Sequence, residues 1–245
     1  MRTVQAQAVY ESSSVTFEGD AIASESAYSP DYLLSAESPL DSWRYRYVKR
    51  AFDLLCALIM IAVFALPGLL IAAVILLTSR GPVFYREERI GRDGRPFQIW
   101  KFRSMYRHAA RRGSIGGWQP SGTVLQWRMR KHLKDPRITQ IGGILRRWSL
   151  DELPQLFNVL HGEMSLIGPR PVIEAETSQY GNLLPFYLAA TPGLSGLWQV
   201  SGRSDIDYAV RVKLDATYVR SWSLGTDFSI LLRTIPAVLS RRGAR

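Results

Sequence analysis

The chain has 245 residues, enough for one sizeable domain with appendages. One cysteine (Cys56) and three scattered histidines leave no material for a disulfide framework, a thiolate metal site or a histidine-based zinc centre. The formal charge of +10 is unevenly held: residues 1–42 have seven acidic groups against Arg2 alone, so they carry −6 and the remainder +16. A body this basic points to nucleic acid, an anionic membrane surface or phosphorylated substrates.

Residues 1–42, rich in Ser, Ala and Glu and without sustained periodicity, read as a disordered acidic tail. No basic start leads into an apolar core with a cleavage site, so the tail is not read as a signal peptide. From Leu54 to Leu77 the chain is apolar over 24 residues without a charge, long enough to cross a bilayer. Pro67-Gly68 interrupts the middle, and an interior proline costs a regular helix about 3 kcal/mol. Basic residues stand at both ends: Arg44, Arg46, Lys49 and Arg50 before, Arg80, Arg86, Arg89 and Arg92 after. The positive-inside tendency places both flanks on the cytoplasmic side. A helix broken at Pro67 that dips in and returns satisfies both observations; a kinked single span is the alternative.

Gly81 to Tyr85 and Phe97 to Phe102, separated by the turn-forming Gly91–Pro96, predict a small β-hairpin with Lys101 near its end. Lys101 is either a phosphate ligand or a solvated charge on a strand edge. Residues 107–122 combine a basic segment with a Gly-rich loop, Gly113–Gly122, that lacks a Walker-type ending and reads as a surface loop. Ile141 to Trp148 predicts a short basic helix.

The densest stretch follows. Leu153, Leu156, Phe157 and Leu160 recur at the spacing of one buried helix face. Ser149 with Glu152 fits a capping box, and Pro154 suits a first turn, so the helix is expected to begin at Ser149 or slightly later. Asp151 and Glu152 then lie at its N-terminus, with Arg146 and Arg147 before them and Arg170 beyond. Two adjacent carboxylates among arginines suit anionic substrates and a divalent metal; an acidic first turn that only caps a helix is the equal alternative. Thr191 to Arg203 reads as a Gly/Ser-rich loop whose Arg203 suits bidentate phosphate binding. Asp205 to Val219 reads as a helix. Phe228 to Leu239, with Arg233 among its apolar residues, suits either the membrane surface or a core. There is no helix-turn-helix, zinc or RNA-recognition signature, which argues against nucleic acid.

Taken together, several motifs carry a resemblance: Lys49-Arg50-Ala51-Phe52-Asp53, Gly81-Pro82-Val83-Phe84, Arg89-Ile90-Gly91, Lys101-Phe102-Arg103-Ser104-Met105 and Asp135-Pro136-Arg137-Ile138-Thr139. Ser149-Leu150-Asp151-Glu152-Leu153-Pro154-Gln155, Gly168-Pro169-Arg170-Pro171 and Gly193 to Arg203 complete it. From Lys49 to about Leu239 the chain resembles the bacterial sugar transferases, monotopic polyprenyl-phosphate phosphoglycosyl transferases, and within them the short exopolysaccharide-priming type.

The resemblance implies a mainly helical α+β fold: a re-entrant membrane helix broken at Pro67, a small β-hairpin, and amphipathic surface helices around one catalytic domain. It divides the chain into the tail at 1–42, the membrane-embedded helix with basic flanks at 43–80, and a cytoplasmic-face catalytic domain at 81–245 on the bacterial inner membrane. It also implies transfer of a sugar-1-phosphate from a UDP-sugar to undecaprenyl phosphate, with Asp151 as nucleophile and Glu152 as its partner in holding Mg²⁺. Lys101, Arg170 and Arg203 match phosphate-binding positions. UDP-glucose and UDP-galactose are the expected donors, and a second copy of the chain or downstream glycosyltransferases are the candidate protein partners. Two departures stand out. Many relatives have Ser-Pro where this chain has Leu66-Pro67, and the Gly113–Gly122 segment looks like an insertion.

Overall fold

The computed structural model describes residues 38–106, 137–202 and 207–240. Most of the tail, the Gly113–Gly122 loop, Arg203 and the last five residues fall outside them. The fold is mainly helical α+β, with one long apolar helix and two small two-stranded sheets.

A π-helical segment, Arg44–Lys49, runs without a break into α1, Arg50–Thr78. Together they form 35 residues long and apolar enough to cross a membrane. The expected break at Pro67 is not an interruption: α1 continues through it as one helix. Proline removes one backbone donor, and helices in apolar surroundings tolerate that loss where neighbouring groups compensate.

Both ends of α1 are fastened to the same body. At the near end Arg50 donates to the carbonyls of Val159 (2.6 Å) and Leu160 (2.9 Å), and Asp53 Oδ1 accepts from the Leu166 amide at 3.1 Å. At the far end Arg103 Nη2 donates to the Ser79 carbonyl at 2.7 Å. There Ile75, fully buried, packs with Phe102 and Leu145. Between these anchors Leu58, Val63, Leu66, Leu69 and Leu70 are exposed.

The hairpin forms as expected. β1 (Phe84–Ile90) pairs antiparallel with β2 (Pro96–Phe102), from Phe84 opposite Phe102 to Ile90 opposite Pro96. Its turn places Asp93 and Gly94 at positive φ, 59° and 74°. The short basic helix is α2, Gln140–Arg147, capped by Thr139, whose hydroxyl accepts from the Gly142 amide at 2.9 Å. After the turn Leu150–Glu152 come α3 (Gln155–His161) and β3 (Ser165–Ile167).

Downstream lie α4 (Glu174–Thr177), α5 (Leu184–Ala189), β4 (Gly193–Ser195), α6 (Leu197–Ser201), α7 (Tyr208–Arg220) and α8 (Leu224–Leu239). β3 and β4 pair in parallel. The stretch read as a Gly/Ser-rich loop is therefore largely ordered as β4 and α6. Glycine there serves close approach: a Cβ on Gly193 would lie 2.1 Å from the Gly168 nitrogen, and one on Gly168 would lie 2.4 Å from the Thr191 carbonyl oxygen.

Helix α8 has a core side and an exposed apolar side. Ile230 and Asp227 are buried, while Phe228, Leu232, Ile235 and Leu239 are exposed. The four-residue stripe, of which Leu153 precedes α3, is only partly a core face. Leu156 is buried, Leu153 and Leu160 flank the core, and Phe157 is 45% exposed. Gln155, Leu156, Asn158 and Val159 form the buried side of α3, which leaves Phe157 on the outer side.

Beneath α1 lies a buried polar cluster. Lys49 Nζ donates to Asp227 Oδ2 (2.7 Å) and to the Ile167 carbonyl (3.0 Å). Asp227 also accepts from the Tyr218 hydroxyl at 2.7 Å and the Trp222 indole at 3.0 Å. Tyr45, ahead of α1, sets its ring edge-on to Trp222 at 4.9 Å.

Candidate active site

The carboxylate pair sits on a 3-10 turn rather than in the first turn of a helix. Ser149 is in the left-handed region (φ 55°) and makes no side-chain cap, so the capping box does not form. Pro154 explains the tight turn. It has no N–H to give to Leu150, whose carbonyl instead takes the Leu153 amide at 3.3 Å. α3 begins only after Pro154. Asp151 is buried, at 9% exposure, and Glu152 is partly exposed beside it.

Lys101 reaches Glu152 across a sequence separation of 51 residues, Nζ to Oε1 at 3.1 Å. Asn158 sets this meeting. Buried on α3, it donates to the Gln98 carbonyl (2.8 Å) and accepts from the Trp100 amide (3.1 Å), which clamps β2 against α3. Strand alternation leaves Lys101 at the site, one residue after Trp100.

Arg170 arrives from the other side. The Gly193 amide bonds to the Pro169 carbonyl at 2.7 Å and the Gly168 amide to the Ser195 carbonyl at 2.9 Å, locking the Gly168–Pro171 segment onto β4. Arg170 then lines a pocket with Lys101, Glu152, Arg89, Gln155 and Gln199. Burial lowers the proton affinity of Arg170, opposed by the Glu152 carboxylate; the guanidiniums of Arg211 and Arg89 lower it further. A pocket walled by several cations and one carboxylate, next to a second buried carboxylate, suits a phosphorylated ligand.

Of the residues singled out in the sequence, Lys101, Glu152 and Arg170 meet in this pocket, and Asp151 adjoins it as the residue before Glu152. Pro67 is exposed on α1 and does not line it. Arg203 lies outside the described residues. Among the described residues no group of three or more His, Cys, Asp or Glu is placed to hold a metal. Two carboxylates alone still fit Mg²⁺, which commonly takes one or two and completes its shell with water and substrate phosphate.

Sequence reasoning missed Arg89, Gln155 and Gln199 as pocket residues. It also missed a second layer behind Arg170. The Arg211 guanidinium lies over the Trp198 ring at 4.6 Å and the Tyr208 ring at 4.9 Å, and Arg170 stands 5.8 Å from the same Trp198 ring. Beneath it the Tyr180 hydroxyl donates to Asp215 at 2.8 Å. Burial pushes the Asp215 carboxyl up to about 7, with Arg211 and the Tyr180 hydrogen bond holding it down in part. Nothing in local periodicity marks these residues; the Arg89-Ile90-Gly91, Ser149–Gln155 and Gly193–Arg203 motifs contained Arg89, Gln155, Trp198 and Gln199 without giving them a role.

The fold combines one helix long and apolar enough to cross a membrane with a pocket whose charges suit an anionic ligand beside a carboxylate pair. Comparison with known proteins makes this specific: the chain belongs to the bacterial sugar transferase family, whose model matches residues 44–241. It is 46% identical over 214 residues to a UDP-galactose-lipid carrier transferase of Erwinia amylovora, covering 86% of this chain and 44% of that protein. It is 45% identical over 197 residues to the exopolysaccharide production protein ExoY of Rhizobium meliloti, covering 80% of this chain and 87% of that protein. A UDP-glucose:undecaprenyl-phosphate glucose-1-phosphate transferase of Caulobacter vibrioides is 41% identical over 204 residues, 80% of this chain and 71% of that protein. The chain thus spans less than half of the Erwinia relative and most of the Rhizobium one.

Proposed function

We propose that this chain transfers a hexose-1-phosphate from a UDP-hexose, UDP-glucose or UDP-galactose, to undecaprenyl phosphate and releases UMP. This would be the first step in assembling an exopolysaccharide, capsule or O-antigen. The observation that carries the reading is the meeting of Lys101, Glu152 and Arg170 in one pocket beside the buried Asp151. The relatives' names point to the same donor and acceptor classes.

In this reading an Asp151 carboxylate oxygen attacks the donor's β-phosphorus, forming an aspartyl-phosphosugar. The bond to the bridging oxygen breaks, and its electron pair leaves with UMP. An oxygen of undecaprenyl phosphate then attacks the same phosphorus and frees the carboxylate. Attack by an anion on an anion needs positive charge at the phosphate, which Arg170 and Lys101 supply. Asp151 and Glu152 would hold Mg²⁺, which when bound neutralises developing negative charge on phosphate oxygens. Lys101 holds Glu152 in place beside the nucleophile.

The acceptor's lipid nature gives α1 its purpose. Both ends of α1 are tied to one body, through Asp53 and Leu166 at one end and Ser79 and Arg103 at the other, which supports a re-entrant seat more than a crossing. Exposed Trp43 and Tyr47 at its base suit a headgroup-level belt. In this reading the pocket lies at the cytoplasmic face of the inner membrane, where a polyprenyl phosphate presents its head.

A panel of UDP-sugars, incubated with the purified chain, Mg²⁺ and undecaprenyl phosphate, tests the reading by UMP release. Release from a UDP-hexose is expected, and none from any donor contradicts it. For topology, single cysteines placed at Ser42 and Gly81 should both resist a membrane-impermeant reagent applied outside intact cells. Labelling of only one would mean a crossing.

A further inference from the structure

Arg89 projects from β1 into the pocket wall, next to Arg170. Its guanidinium is fixed from two sides. Nη1 donates to the Pro171 carbonyl at 3.0 Å, and Nη2 pairs with Glu87. The third nitrogen, Nε, is buried and has no partner among the described residues. The carboxamide oxygen of Gln199, on the same pocket, is likewise buried without one.

A buried N–H without a partner is costly, so proteins seldom keep one without a ligand to meet it. Here the cost falls on an arginine already immobilised by two other bonds, which makes it a preorganised anion donor rather than a searching surface charge. The Glu87 pairing and the Pro171 bond fix its direction. The Pro171 bond also ties Arg89 to the segment that presents Arg170, so the two guanidiniums keep a constant spacing.

We propose that Arg89 is a binding residue for the donor nucleotide, donating from Nε to the α-phosphate that leaves with UMP, while Arg170 holds the neighbouring oxygens. Gln199 meets a ligand hydroxyl or N–H in the same pocket. This rests on the function proposed above and adds a residue to it: the diphosphate is held from the hairpin side as well as from the Gly168–Pro171 segment. It also gives β1 a part at the site, to which β2 contributes Lys101.

The test uses the full chain in lipid nanodiscs, with UMP as the probe. Arg89→Met is expected to weaken UMP binding and raise KM for the UDP-hexose by about tenfold or more, the worth of one charge-assisted hydrogen bond. Chase of a preformed phosphosugar adduct by undecaprenyl phosphate should stay within about twofold of the parent, since the nucleotide has then left. Unchanged UMP affinity overturns the proposal, as does a slowed chase with UMP binding intact, which would assign Arg89 to the acceptor phosphate. If Arg89→Met does not fold, Arg89→Lys decides: it keeps the charge but lacks Nε, so UMP affinity should still fall several-fold, and parent-like affinity overturns the proposal. A parent chain that releases UMP from no donor refutes the function itself and is separable from all of these.

Discussion

Two clusters of the same residue types sit about α1 and the hairpin, and they differ in one respect. Under α1, Lys49 and Asp227 meet a full set of partners: the Ile167 carbonyl for one, the Tyr218 hydroxyl and Trp222 indole for the other. In the pocket, Lys101 and Glu152 pair just as directly, but Arg89 Nε and Gln199 Oε1 stay bare. A buried polar group that is fully met holds structure together. One left unmet at a pocket wall is open to a ligand. In these two clusters the distinction separates charges that seat the apolar helix from charges proposed to meet the donor.

Breaking each cluster should therefore give opposite signatures. Asp227→Ala strands the buried Lys49 ammonium together with the Tyr218 and Trp222 donors. It should cost about 3–5 kcal/mol and unfasten α1 from the body. Thermal unfolding in nanodiscs would register this as a large drop in midpoint; a midpoint near the parent's would mean the cluster is not structural. Glu152→Gln should leave the midpoint nearly untouched and lower turnover by about ten- to a hundredfold. It should also move the Mg²⁺ dependence of turnover to higher concentration. An unchanged Mg²⁺ titration would remove Glu152 from the metal.

Asp215 gives the smallest effect, and it is read through pH. Burial raises its folded carboxyl to about 7, against an unfolded value of about 3.9. Between those values the folded chain binds more protons than the unfolded one, so stability falls as pH rises through that window and levels off above it. Asp215→Asn removes the titrating group and should flatten that decline. The check is the difference in melting midpoint between pH 5 and pH 8: smaller in the variant than in the parent if Asp215 is responsible, equal if it is not.

What the sequence disclosed was mainly local. The hairpin follows from alternation around a turn, the apolar helix from an unbroken apolar run, and α2 from a short basic stretch, each readable within one local segment. Asp151, Glu152, Lys101 and Arg170 stood out because the motifs around them were recognisable, and the last three do converge. The failures have physical causes. Ser149 satisfied the capping-box pattern, but its left-handed backbone and the missing N–H of Pro154 convert the expected helix start into a 3-10 turn. Pro67 looked like a breaker, and the helix carries on through it. The Lys49–Asp227 pair spans 178 residues, and nothing in periodicity links two points so distant. Arg89 was visible as part of a motif, yet its role depends on which of its nitrogens is left bare, and only three-dimensional packing decides that.

The most direct measurement is to capture the chain after exposure to a labelled UDP-hexose and Mg²⁺, without acceptor, and to map the modified peptide by mass analysis. The account predicts one hexose-phosphate on the peptide containing Asp151, released on adding undecaprenyl phosphate and absent from Asp151→Asn. Turnover with no adduct on that peptide, or an Asp151→Asn chain that still releases UMP at the parent's rate, would contradict it.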